Sequence, residues 1–396
     1  MNIYKLSELS DEKKEFIMKR AEIDISEHMK LAKEVSDDVR KRGDEAVLEY
    51  TAKFDRVELT ADRIKVKPEE MWFTEVDKGL LVGEKTTPIV DVCLYVPRGK
   101  GSFPSVMLML GVPATVAGVE KIVVVTPPNE QGEVDDAILA AAKIIGITEI
   151  YKVGGIQAVA SVAYGTETIP KCHKIIGPGN SYATAAKRVL ANFIDAGLPA
   201  GPSEAIILAD ENADPEKVAL DWMIEAEHGP DSASLLVTNS AELVEKVIPI
   251  VERQLEKISD KRREFVTTNF SCYGGAIITD SLEDSIAFVN EYAPEHMEVM
   301  TEKPFEVLPK IKNAGEILLG DYTPVTLCNF VLGPNAILPT GQSAKTYSSV
   351  SVMDFLKRSS VGYASRDGFE MVRDYAYRIA TVEGFDTHGL AVKDRK

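Results

Sequence analysis

Five histidines occur in the 396-residue chain, His28, His173, His228, His296 and His388, so each can be weighed by its surroundings. His228 closes Glu225-Ala226-Glu227-His228 at the end of an amphipathic stretch. That spacing puts Glu225 and His228 on one helical face, where both could reach a single cation. The alternative is a solvated carboxylate beside a histidine favoured by the helix C-terminus. His296 follows Glu295 immediately after Pro294. A Glu-His pair on a turn can offer one cavity two proton-transfer groups of different basicity, although adjacency also suits a surface pair. His388 follows a helix that Gly384 would end and reads as an exposed tail residue, while His28 and His173 read as surface or boundary histidines.

Glycine-rich turns form the second class of candidates. Gly154-Gly155 and Gly177-Pro178-Gly179-Asn180 each follow a strand and open a helix, which brings backbone N–H groups to a helix N-terminus where an anion such as a pyrophosphate is favoured. No GxGxxG fingerprint with a following acidic residue, no Walker A motif and no GxSxG elbow is present. A third turn, Gly201-Pro202-Ser203-Glu204, precedes a strand and reads as a domain crossover.

These residues need elements to hold them. Residues 10–56 carry helix-period apolar positions, with no Pro and a single Gly, and predict helices. Beyond residue 89, short β-branched runs alternate with amphipathic stretches: 122–126 then 135–145, 150–153 then 157–164, 174–176 then 182–193, 206–209 then 215–227, 235–238 then 241–257, and 276–279 then 282–292. Such alternation implies βαβ units and parallel sheets covered on both faces. The number of repeats predicts two Rossmann-like domains dividing near Gly201–Glu204. Val352–Arg358 and Asp367–Ala380 read as tail helices that need another surface to bury against.

Composition narrows the partners. The net charge of −17 disfavours nucleic acid and anionic membranes, so a small molecule is the expected partner. The hydrophobic share of 45% and the charged share of 27% fit a folded globular protein. Four dispersed cysteines without a CxxC pair argue against a disulfide framework or a thiolate zinc site, and no apolar leader or spanning run occurs. A cytoplasmic protein with reduced thiols is expected.

The chain resembles histidinol dehydrogenase in YVPRGKGSFPS (95–105), GGIQAVASVAYGTETIP (154–170), KIIGPGNSYATAAKR (174–188), AGPSEAIILAD (200–210), EAEHGPDS (225–232), NEYAPEHMEV (290–299), GPNAILPT (333–340), SVMDFLKR (351–358) and EGFDTHGLAV (383–392). The resemblance implies an α/β fold with two Rossmann-like parallel-sheet domains and small helical N- and C-terminal segments, in a domain-swapped homodimer. On that pattern residues 1–24 form the N-terminal segment. Residues 25–94 and 205–349 form the metal and substrate domain, 95–204 the NAD domain, and 350–396 a helical tail docking on the partner subunit. The implied chemistry uses one Zn²⁺ per subunit and NAD to take a primary alcohol through a bound aldehyde to a carboxylate, as in L-histidinol to L-histidine in histidine biosynthesis.

Carried over by motif, the resemblance places NAD at Tyr95, Gln157 and Asn180 and makes Glu295 and His296 the acid–base pair. It assigns the metal to Glu225, His228, Asn329 and His388. Its implied substrate contacts are Ser203, Glu225, His228, His296, Asn329, Glu383 and His388, with Glu383 and His388 crossing the dimer interface to complete a shared site. Glu225 stands where the family has Gln and Asn329 where it has Asp, so the formal ligand charge is preserved and each position keeps an oxygen donor. Ala336 replaces a family histidine and leaves a larger, less polar pocket. Arg98 and Lys100 stand where the family has small residues, and suit an anionic substrate, NADP or plain solvent exposure. These departures set a paralogue acting on another small polar or anionic alcohol beside the first reading, and a non-catalytic protein that kept the fold as the third.

Overall fold

The structure, a computed structural model, describes residues 3–5, 10, 38, 40–55, 60, 71–98 and 103–395. Its strands in chain order are β1 (Ile3–Lys5), β2 (Trp72–Asp77), β3 (Leu80–Pro88), β4 (Asp91–Tyr95), β5 (Lys121–Thr126), β6 (Glu149–Lys152) and β7 (Lys174–Ile176). They continue with β8 (Glu204–Ala209), β9 (Ala233–Thr238), β10 (Gly275–Ile278), β11 (His296–Met300), β12 (Glu316–Leu319) and β13 (Leu356–Ala364). The chain divides into one unit of Met1–Ile64 with Ile89–Phe355 and another of Lys65–Pro88 with Leu356–Lys396.

The first unit holds two parallel sheets. One is six-stranded in the order β1-β10-β9-β8-β11-β12, and the other four-stranded in the order β6-β5-β4-β7. In the larger sheet, Ile206 and Leu208 of β8 enter the core beneath Phe288 and Tyr292, whereas Ile207 and Ala209 enter the opposite core around Trp222 and Phe270. This period of two with both faces buried makes β8 apolar throughout its interior. The smaller sheet buries Cys93, Val123, Val125 and Ile175 against Ala158, Val162 and Ala183 of its helices.

Every predicted strand–helix pair from 122 to 292 is present, with ends displaced by a few residues. The last turn of the predicted 215–227 helix tightens into a 3₁₀ segment, Glu225–His228. Helix starts follow local capping chemistry: Asp214, Ser240 and Ser281 each accept a backbone N–H of the first turn through their side chains.

Three expectations need correction. Val352–Arg358 is not a helix, because Val352–Phe355 makes a single 3₁₀ turn and Leu356–Ala364 is β13, paired antiparallel with β3 along its whole length. Pairing with a strand distant in sequence overrides the local helical pattern. Residues 72–88 likewise leave the expected 25–94 segment to form the antiparallel sheet β13-β3-β2, and β4 pairs with β5 and β7 in the smaller sheet rather than the larger. Within the expected N-terminal helical segment, Ile3–Lys5 is a strand beside β10. In the 10–56 stretch Asp44–Asp55 is helical, and residues 11–37, with His28, lie outside the described residues.

The second unit contains β2, β3 and β13 followed by the helices Arg366–Val382 and Asp386–Lys393, of which the first matches the predicted 367–380 helix. No described helix is long and apolar enough to cross a membrane.

Trp222 illustrates what holds the larger sheet together. It is fully buried, donates from Nε1 to the carbonyl of Ser234 at 3.1 Å, and packs on Phe270 at 4.4 Å between ring centroids. Trp222→Ala is expected to cost about 3–5 kcal/mol of stability, read as a lower midpoint in urea unfolding.

Candidate active site

The helix Leu282–Tyr292 ends with Ala293 in the left-handed region at φ 53°, and Pro294 prevents its resumption. A non-glycine residue in that region is strained unless its surroundings hold it there, and here the turn delivers Glu295 and His296 to the amino end of β11. The parallel register pairs His296 with Ala205 on one side and with Glu316 on the other. Glu295, His296, Ser203, Glu204 and Glu316 therefore gather at the amino ends of β8, β11 and β12, all buried.

Each of these groups has defined partners. Glu295 Oε2 accepts from the backbone N–H of Glu204 at 3.0 Å, and Glu204 Oε1 accepts from that of Gly341 at 3.0 Å. His296 Nδ1 lies 2.5 Å from Glu316 Oε1, and its Nε2 lies 3.8 Å from Glu295 Oε1 and 4.0 Å from Glu225 Oε1. Burial alone would lower the basicity of His296. The carboxylates of Glu225, Glu316 and Glu295 outweigh it and raise the imidazole to about 10. Burial pushes the Glu295 carboxyl well above the usual carboxylate range, reinforced by Glu225 and Glu204 against the opposing pull of His296. Both members of the pair thus hold their protons more tightly than free side chains do, the imidazole through nearby carboxylates and the carboxyl mainly through burial.

Across the cavity, the 3₁₀ turn brings Glu225 and His228 together as their spacing predicted. His228 Nδ1 lies 2.6 Å from Glu225 Oε2 and 2.9 Å from Ser203 Oγ. Asn329 sits on a π-helical turn, Cys328–Leu332, a distortion frequent at functional sites. Its Oδ1 is buried without a hydrogen-bond partner, which costs free energy unless a ligand supplies one. A buried carboxylate, an imidazole and an unsatisfied amide oxygen form a nitrogen and oxygen donor set that suits a zinc ion. Cys328 donates from Sγ to Glu316 Oε2 at 2.7 Å, and burial together with that carboxylate pushes its thiol strongly up, so it is no thiolate nucleophile.

The smaller sheet meets this cluster with its carboxyl ends. Its order reverses direction between β4 and β7, the switch point at which open α/β sheets bind ligands. Tyr95 ends β4 and accepts from the N–H of Gly155 at 2.9 Å, tying the Gly154-Gly155 turn to the Gly177–Asn180 turn beyond β7. Gly177 has φ 131°, and a Cβ there would sit 2.2 Å from the Tyr95 carbonyl oxygen. A Cβ at Gly179 would come 2.8 Å from that of Ala183 and 3.4 Å from the Tyr95 ring. These glycines let the turn pack closely on the Tyr95 strand end, and the helix mouth that follows offers backbone N–H groups of the kind that suit a dinucleotide phosphate. Asn180 caps its helix by accepting from Ala183 N at 3.0 Å, and Gln157 is exposed on the first turn after Gly155.

A cavity of ≈ 60 Å³, room for roughly four or five waters, lies between the two sets of strand ends. Ser203, His228, Glu295, His296 and Asn329 line its polar side, and Phe103, Val106, Met109, Ile337 and Leu338 its apolar side. Ala336 lies on the wall, and the lining contains no Lys or Arg among the described residues. Arg98 instead reaches the carbonyl of Pro128 at 3.4 Å, and Lys100 lies outside the described residues. Glu383 and His388 belong to the second unit, where Glu383 caps the helix Arg366–Val382 and His388 packs on Phe385 at 5.0 Å.

Sequence reasoning missed Glu204, Glu316 and Lys187. Glu204 and Glu316 are charged residues in segments otherwise apolar enough to be buried, which is the available signal, whereas Lys187 stands beside Arg188 in an amphipathic helix and carries no such mark. Lys187 is buried, donates to the Gly177 carbonyl at 2.5 Å and lies 5.7 Å from the centroid of the Tyr95 ring. Burial lowers its amine to about 8.

The histidinol dehydrogenase family model matches residues 18–72 and 63–396. The histidinol dehydrogenase of a Synechocystis strain is 45% identical, covering 100% of this chain and 99% of that protein. A protein of Colwellia psychrerythraea named histidinol dehydrogenase homolog is 43% identical, covering 99% of this chain and 96% of its own length. The crystal structure of histidinol dehydrogenase from Elizabethkingia anophelis is 32% identical, with a TM-score of 0.80 over 99% of this chain and 96% of that one.

Two predictions follow from the glycine turns and the lysine behind them. Gly177→Ala forces the Tyr95 strand end to move, and is expected to weaken NAD binding, read as a higher KM for NAD than wild type. For Lys187→Met the sign follows from the lowered amine: the cost of burying the charge is complete below about pH 8 and relieved as the pH rises toward 10.5. The stability of Lys187→Met relative to wild type is therefore expected to fall across that interval in urea unfolding.

Proposed function

The chain belongs to the histidinol dehydrogenase family of NAD-dependent oxidoreductases, and from that premise we propose that it oxidises a small primary alcohol to the carboxylate at the Glu295–His296 pair. The first substrate is L-histidinol, giving L-histidine. The reading rests on one observation: the buried pair Glu295 and His296 lines the same cavity as His228 and Asn329, with Glu225 behind them against both imidazoles, beside the switch-point crevice of the smaller sheet.

Glu225, His228 and Asn329, with His388 supplied across a homodimer interface, would hold one Zn²⁺ per subunit, which would supply Lewis-acid polarisation of the alcohol oxygen. Tyr95, Gln157 and Asn180 would hold NAD, the hydride acceptor. Within that frame His296 takes the alcohol proton at Nε2, the ring atom nearer Glu295 and Glu225. This requires a neutral ring. Neutralising Glu225 lowers the affinity of His296 for its proton, because that carboxylate heads the three that raise it. Glu295, held by the Glu204 N–H, then takes a proton from the water that hydrates the bound aldehyde, which requires it ionised. Neutralising Glu225, the foremost of the two carboxylates that raise it, favours that form. Ser203 fixes the His228 ring, and the apolar wall from Phe103 to Met109 excludes bulk water. Glu383 would complete the substrate contacts from the partner subunit of this cytoplasmic enzyme.

Ala336 favours a second reading, a paralogue with the same chemistry on a different small polar alcohol, since it places a methyl group on the cavity wall. An anionic alcohol is disfavoured there, because Glu225 and Glu295 lie beside a lining that lacks Lys and Arg among the described residues.

Two NADH formed per histidinol consumed by zinc-loaded protein is the expected stoichiometry. Turnover of another alcohol in a panel, with none of histidinol, would instead select the second reading. His296→Asn is expected to keep its zinc by metal analysis while losing about 10²–10⁴-fold in kcat. Near-normal turnover would remove His296 as the base. Chelation should abolish activity and added Zn²⁺ restore it.

A further inference from the structure

Glu316 belongs to none of the motifs above, yet the larger sheet places it beside His296. It opens β12, its register partner in β11 is His296, and it is buried. Neighbouring strands lie under 5 Å apart, so register partners in a parallel pair present their side chains to the same face. Both oxygens of Glu316 are engaged: Oε1 lies 2.5 Å from His296 Nδ1, and Oε2 accepts from Cys328 Sγ at 2.7 Å. A carboxylate can only accept, so the imidazole atom facing it must carry the hydrogen. The remaining ring atom, Nε2, is the one near Glu295 and Glu225.

We propose that Glu316 is a positioning residue for the oxidation assigned to this site: it holds His296 as the Nδ1–H tautomer so that Nε2 exchanges the substrate proton, and Cys328 locks Glu316 in that pose. Which ring nitrogen of a functional histidine is protonated is set by the hydrogen bond that the other one makes. Without Glu316, the ring can rotate about its side-chain bonds and present either nitrogen to the cavity. The role of Cys328 is then geometric. Its side chain meets the second oxygen of Glu316 from the π-helical turn that also carries Asn329, so one short segment braces both sides of the cavity.

This inference rests on the reading of His296 as the base, and its test separates the two. Protein labelled with ¹⁵N-histidine and loaded with Zn²⁺ reports ring tautomers by NMR without any alcohol present, with the His296 signal assigned from its absence in His296→Asn. Spectra are taken across a pH series, and in the neutral form of the ring the wild type is expected to show Nδ1–H at His296, Glu316→Gln to retain it, and Glu316→Ala to lose it. In turnover, Glu316→Ala is expected to lose about 10–100-fold in kcat with KM within about twofold, and Glu316→Gln to recover most of that loss. If Glu316→Ala does not fold, Cys328→Ala carries the test, with a smaller drop in kcat at unchanged KM. The proposal is overturned by an unchanged tautomer in Glu316→Ala, by Nε2–H alone in the wild type, or by a wild-type kcat in Glu316→Ala or Cys328→Ala. A wild type that shows the Nδ1–H tautomer but oxidises no alcohol overturns the functional reading and leaves the positioning role supported.

Discussion

A carboxylate taken out of water costs several kcal/mol unless hydrogen bonds or opposite charge compensate it. This protein buries Glu204, Glu225, Glu295 and Glu316 around two imidazoles, His228 and His296. Much of the site's geometry answers that constraint. Glu204 and Glu295 each accept a backbone N–H, Glu316 accepts from Cys328 and faces His296, and Glu225 leans on His228. The same crowding raises His296 and Glu295 together, through the opposite charge of the carboxylates around the imidazole and, for the carboxyl, mainly through burial. Excess negative charge in a buried cluster is also what would favour the divalent cation of the proposed function.

The two parallel sheets play different parts. The four-stranded sheet offers the carboxyl ends of β4 and β7, where strand order reverses and helix N-termini leave backbone N–H groups exposed to a ligand. The six-stranded sheet offers its amino ends, the edge that open α/β sheets ordinarily leave without a ligand. What qualifies it here is the polar content of the turns entering β8, β11 and β12: Ser203 and Glu204, Glu295 and His296, and Glu316. Rigid strands hold these groups, which suits chemistry that tolerates little displacement.

The wall opposite the reacting groups is apolar, with Ala336 among Phe103, Met109, Ile337 and Leu338. Under the proposed function, proton handling and substrate choice fall to different segments, the strand ends on one side and the Gly333–Thr340 stretch with the helix Pro104–Val116 on the other. On that reading, substitution on the wall would change the alcohol accepted without disturbing the Glu295–His296 pair.

By itself the sequence determined the alternation of strand and helix from residue 122 to 292, because side-chain periods of two and 3.6 are local properties that burial merely ratifies. It also determined that Glu225 meets His228 and that Glu295 precedes His296 on a turn, since those relations span at most three residues. Tertiary structure alone decided what depends on register between distant strands: the partnership of Glu316 with His296, the pairing of Leu356–Ala364 with β3 against its helical pattern, and the convergence of Ser203 and Asn329 on one cavity. Inter-strand hydrogen bonds carry no mark in the sequence of either strand alone. A one-residue slip would turn Glu316 to the other face of the sheet, and only the packed core on both faces prevents it.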